Sequence, residues 1–79
     1  MVFKKIAQMI SEQFGVDIST ITMDTMFEED LSADSLDIVE LTMALEEEFE
    51  IGEMEDEELS SLRSVGDIVN YIQNKLSEN

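Results

Sequence analysis

The 79-residue chain has no cysteine, histidine, proline or tryptophan, and only four of its residues are basic. Without cysteine there is no disulfide framework, no thiol nucleophile and no thiolate-bound metal. Without histidine the commonest general base and the commonest metal ligand are missing as well. Against the four basic residues stand 20 acidic ones, a formal charge of −16. Nucleic-acid backbones and anionic membranes reward positive charge, so neither is an expected partner. No apolar run exceeds three residues, which excludes a membrane span and a signal-peptide core and makes the cytoplasm the expected location. A self-sufficient enzyme is not expected.

What is present is enough for one small core. Hydrophobic residues make up 43% of the chain. With three scattered glycines and no internal repeat, one domain over residues 1–79 is expected. Repulsion among like charges lowers its stability, and salt or divalent cations should restore some. The same repulsion argues for a monomer.

The dominant periodicity is helical. Phe3, Ile6, Ile10 and Phe14 form one stripe over residues 2–14, with Gly15 as the stop. Residues 16–34 show no sustained period; Ile18, Ile21, Met26 and Phe27 are candidates to pin them to a core, and Thr25 to Glu28 to cap a single turn. A loop this long in so small a domain points to function. Asp34 and Asp37 form a capping pair that opens a second helix. Ile38, Leu41, Thr42, Leu45 and Phe49 share its core face, while Asp37, Glu40, Glu47 and Glu48 share the opposite one. Leu36, Val39 and Met43 form a third strip that belongs to neither. Beyond an acidic stretch, Leu59 and Leu62 suggest a short third helix. Ser64 to Asp67 is another capping box, opening a last helix that carries Val65, Ile68, Val69, Ile72 and Leu76. The expected fold is all-α: a small four-helix bundle with three longer helices, one short third helix, and a long loop between helices one and two.

Ser35 stands at the first position of the second helix, where its hydroxyl is expected to face solvent. An isolated Asp-Ser-Leu triplet recurs by chance, and serine favours helix starts. As a nucleophile Ser35 has no histidine to take its proton. If it acts, another protein activates it, and it is a substrate for modification. A phosphate placed there would meet the helix's free amides, partly opposed by the neighbouring acids. The acidic face lies beside the apolar strip, and residues 6–62 contain no lysine or arginine to neutralise it. An apolar patch rimmed by negative charge suits docking to basic surfaces. No EF-hand pattern is present, so no structural metal site is expected.

The run Asp30-Leu31-Ser32-Ala33-Asp34-Ser35-Leu36-Asp37, continued through Val39-Glu40-Leu41 and Met43 to Phe49, resembles the bacterial acyl carrier proteins of type II fatty acid synthesis. The likeness runs from Phe14-Gly15-Val16 to Tyr71-Ile72. It implies that Ser35 carries 4′-phosphopantetheine, donated by coenzyme A through a phosphopantetheinyl transferase, with acyl groups held as thioesters on the arm's thiol. It implies that Asp34 and Leu36 flank the attachment point and help the transferase recognise it. It also implies that Asp34, Leu36, Asp37, Val39, Glu40, Met43, Glu46 and Glu47 meet basic patches on fatty acid synthesis enzymes. It implies too that Ile6, Leu41, Leu45, Leu59, Leu62 and Ile72 shelter the acyl chain, with a plain core role the equal alternative for each, because sequence gives no void volume. Polyketide, peptidyl and D-alanyl carriers load the same kind of serine and are alternatives within the class. Outside it, an acidic module mimicking nucleic-acid charge would need the carboxylates but not Ser35. Two departures stand out: Ser32 occupies a position where the family usually has glycine, and no proline precedes the third helix, where the chain is one residue longer.

Overall fold

Helix ends organise this molecule, whose computed structural model describes residues 2–77. Helix α1 spans Val2–Phe14 and buries Ile6, Ala7 and Ile10; Gly15 stops it at φ +67°, in the left-handed region. The chain then makes a 3-10 turn at Ile18–Thr20 and a single helical turn, α2, at Phe27–Asp30. Helix α3 spans Ser35–Phe49, α4 Asp56–Ser60 and α5 Val65–Ser77. Helix α1 packs against both α3 and α5. The core between them holds Ile6, Ile10, Leu41, Leu45, Val65, Ile68 and Ile72, each at most 1% exposed. The all-α expectation stands, with α2 and the 3-10 turn as additions inside the long loop.

That loop is ordered by the start of α5. A helix leaves its first amides without partners, and here carbonyls of the loop supply them: Val65 N–H donates to Thr25 O and Gly66 N–H to Met23 O, both at 2.9 Å. In return Phe27 N–H donates to Arg63 O at 3.0 Å. The expected capping box at Ser64 and Asp67 is present in both directions. Thr25 is not the cap of α2, as the sequence suggested. Its hydroxyl accepts from Thr22 N–H, and Met26 precedes the turn, donating its N–H to Asp30 Oδ2. Ile21 and Phe27 are buried and Met26 half-buried, but Ile18 is exposed, because the 3-10 turn directs it away from the core. Leu76 is also exposed, one turn beyond the last core residue of α5.

The loop approaches α5 so closely that a Cβ at Gly66 would lie 2.9 Å from Met23 O, a backbone atom that cannot swing aside. Alanine in a helix is ordinarily better than glycine by about 1 kcal/mol. Here the sign should reverse. We expect Gly66→Ala to cost about 1–3 kcal/mol, seen as a lower urea midpoint with the slope unchanged.

Helix α4 is framed by a capping box between Glu55 and Glu58. Glu55 N–H, with the Tyr71 hydroxyl and Lys75 assisting, holds the Glu58 carboxyl below its ordinary range. The folded state gains from that bond above the ordinary carboxylate pKa and loses it as pH falls through the lowered value.

Candidate functional site

Ser35 is the first residue of α3. Asp34 Oδ1 accepts from Asp37 N–H at 2.9 Å, and Asp37 Oδ2 accepts from Asp34 N–H at 3.1 Å. This box fixes the helix start, where Ser35 is the first residue after the cap. Ser35 is exposed, and among the described residues its hydroxyl forms no hydrogen bond. The approach is fixed from the other side by Ala33 N–H, which donates to Phe27 O at 2.9 Å. The serine is thus displayed by a rigid corner, not by a free loop.

Backbone strain sits two steps before this corner. Ser32 has φ +54°, a left-handed conformation that favours glycine. The sequence flagged this residue as a departure, and the structure gives the reason. Relieving a left-handed non-glycine residue gains about 1–2 kcal/mol, offset by the 0.5–1 kcal/mol of extra freedom glycine loses on folding. Ser32→Gly should therefore raise stability by about 0.5–1 kcal/mol, read as a higher urea midpoint, with Ser35 still displayed.

Ser35 opens onto a cleft of about 590 Å³ between α2, α3, α4 and the α4–α5 corner. Its apolar wall comes from Phe27, Ile38, Val39, Leu59 and Leu62, and its rim carries Glu28, Glu29, Asp56 and Arg63. Of the six residues expected to shelter an acyl chain, Leu59 and Leu62 line this cleft. Ile6, Leu41, Leu45 and Ile72 do not: they are 0–1% exposed and packed in the central core between α1, α3 and α5. Helical periodicity marks apolar faces but does not separate filled core from cleft wall. The apolar residues of the cleft that were not expected there are Met26, Phe27, Ile38 and Val39.

Along α3 the third strip is exposed, with Leu36 at 66%, Val39 at 38% and Met43 at 60%. Glu40 and Glu47 lie exposed beside it, while Asp37 is half-buried by its cap bond. Glu48 is paired with Lys5 across to α1 at 3.5 Å, an exposed contact worth little. Glu46 is half-buried and has a structural task, since its carboxylate accepts from Met54 N–H and ties down the loop before α4.

The sequence model of the family described as "phosphopantetheine attachment site" matches residues 4–72. Over 73 residues the chain is 59% identical to the acyl carrier protein of Clostridium acetobutylicum, covering 92% of this chain and 94% of that one. The chain belongs to the acyl carrier protein family. Among solved structures it is similar to the acyl carrier protein of Enterococcus faecalis, with a TM-score of 0.79, 34% identity, and coverage of 94% and 92% of the two chains. The acyl carrier protein of Thermotoga maritima gives the same TM-score at 38% identity, covering 94% of this chain and 85% of its own. This is a carrier and not an enzyme, and its prosthetic group is 4′-phosphopantetheine.

The corner at Ser35 fits that group. It offers an unengaged primary alcohol, two first-turn amides (Ser35 and Leu36) with no acceptor among the described residues, and a cleft whose wall is apolar. Among the described residues no helix is long and apolar enough to cross a membrane.

Proposed function

We propose that Ser35 is the attachment point and that the chain carries acyl intermediates of fatty acid synthesis between enzymes. The observation that supports this most is the exposed Ser35 hydroxyl at a rigidly capped helix start, open to the cleft. Ser35 Oγ acts as acceptor in a reaction catalysed by a separate transferase. It gives up its proton to the transferase and gains a phosphorus–oxygen bond as the pyrophosphate link of coenzyme A breaks, and the adenosine half leaves with the second phosphate as adenosine 3′,5′-bisphosphate. The bound arm supplies a thiol on which acyl groups form thioesters, something this cysteine-free chain does not provide itself.

Partner enzymes dock on α3. Leu36, Val39 and Met43 give the apolar contact, and Asp34, Asp37, Glu40 and Glu47 draw in a basic surface. Glu46 contributes less, because its carboxylate is already engaged with Met54. The cleft of Phe27, Ile38, Leu59 and Leu62 receives the first part of the arm and its cargo, with short α4 as the wall that gives way. The protein works as a monomer in the cytoplasm.

The direct test is intact mass after co-expression with a carrier-protein transferase, followed by peptide mapping. One phosphopantetheine per chain, on the peptide containing Ser35, is the expected result. An unmodified chain, or a group on another serine, would overturn the assignment.

A further inference from the structure

The cleft beside Ser35 is electrostatically hostile to an anion. Glu28, Glu29 and Asp56 stand on its rim, and the chain as a whole carries −16. A phosphodiester attached to Ser35 brings one more negative charge, and in this setting it would be pushed into solvent. One feature of the rim opposes that push. Arg63, the single arginine of the chain, lines the same cleft. Among the described residues no carboxylate forms an ion pair with it, despite the acids around it. Its backbone is held at both ends: Arg63 N–H donates to Asp67 Oδ2 at 3.0 Å, and Arg63 O accepts from Phe27 N–H at 3.0 Å. The guanidinium therefore starts from a fixed point on the rim. The lysines are not substitutes here, because Lys4 and Lys5 belong to α1 and Lys75 lies near the Tyr71 ring on α5.

We propose that Arg63 is the counter-ion of the prosthetic arm, holding its phosphodiester at the cleft rim so that the rest of the arm lies along the wall of Ile38, Val39 and Leu59. A planar guanidinium matches two phosphate oxygens at once. The proposal rests on attachment at Ser35. It makes Arg63 a positioning residue: it shifts the arm between a docked and a solvent-exposed state, and thereby sets how readily the arm swings out to a partner.

The test uses fully loaded wild type, Arg63→Gln and Arg63→Lys, each checked by intact mass for one group per chain and by circular dichroism for unchanged helix content. Phosphorus NMR then reads the environment and mobility of the phosphodiester, and the side-chain Nε–H resonance of Arg63 is compared between unloaded and loaded wild type. At low ionic strength the docked-to-free ratio should be about two- to fivefold higher in wild type than in Arg63→Gln. Arg63→Lys should retain part of the difference, and salt near 1 M, where screening acts within about 3 Å, should erase it. The Nε–H resonance should move on loading. Loaded wild type and Arg63→Gln with the same phosphorus shift and relaxation at low salt would overturn the counter-ion role alone. A wild-type chain that gains no mass would instead overturn attachment.

Discussion

Replacing Ser35 with alanine should abolish loading with phosphopantetheine while leaving the fold almost untouched. The two effects separate because of where the residue sits. Its hydroxyl makes no hydrogen bond to the rest of the described chain, and the side chain is exposed. The cap that starts α3 is made by Asp34 and Asp37, and neither of its bonds uses the Ser35 side chain. Alanine is also a good helix former. The expected change in stability is within about 0.5 kcal/mol, and helix content by circular dichroism should match wild type. Loading requires the oxygen itself, so the loss of added mass should be complete and not partial. Binding to a partner through the acidic face of α3 should persist in the unloaded variant, weakened by whatever the arm contributes. Were Ser35→Ala still to gain one phosphopantetheine, the site would lie elsewhere.

The contrast between what the sequence disclosed and what it hid follows from the range of the interactions involved. Capping is local, so Asp34 with Asp37, Ser64 with Asp67 and the stop at Gly15 were all readable from spacing alone. The exposure of Leu36, Val39 and Met43 was readable too, because α3 carries a separate core face on which Leu41, Thr42 and Leu45 are buried. The long loop was different. Its order comes from the amides of α5, some 40 residues away by rough count, and no local pattern encodes a non-local hydrogen bond. For the same reason Gly66 looked like an ordinary helical glycine, and its close approach to Met23 was invisible. The left-handed Glu50 that ends α3 also gave no signal, since glutamate is not a usual stop and the nearest glycine comes two residues later. The cleft escaped because an apolar residue at helical spacing looks alike whether it faces a packed neighbour or an open wall. Arg63 could have been found: it ends a stretch without basic residues that begins at Ile6, and so is the cation nearest in sequence to the acidic middle of the chain.

Phe27 carries the loop, and its replacement by alanine should be the most damaging single change outside the central helices. The ring is fully buried and lies 6.5 Å from that of Phe14, centroid to centroid, tilted by 36°. Its backbone holds the loop at two points, with N–H to Arg63 O and C=O from Ala33 N–H. One residue therefore fastens α2 to α1, to the start of α5 and to the approach of Ser35. Truncating a buried phenylalanine costs about 3–5 kcal/mol. At the usual 0.05–0.15 kcal/mol per residue, a domain of this length has only about 4–12 kcal/mol to lose, and a charge of −16 sets it toward the lower end. Phe27→Ala should therefore melt near or below ambient temperature at low salt, with part of the loss recovered as salt screens the carboxylates. Phe27→Leu, which keeps most of the volume, should cost less than about 1.5 kcal/mol. Ile18→Ala in the same loop should change stability by no more than about 0.5 kcal/mol, because that side chain is exposed. Thermal melts of the three variants by circular dichroism make the comparison. If Phe27→Ala melted within a few degrees of Ile18→Ala, the loop would not be fastened through this ring, and the rigid presentation of Ser35 would need another source.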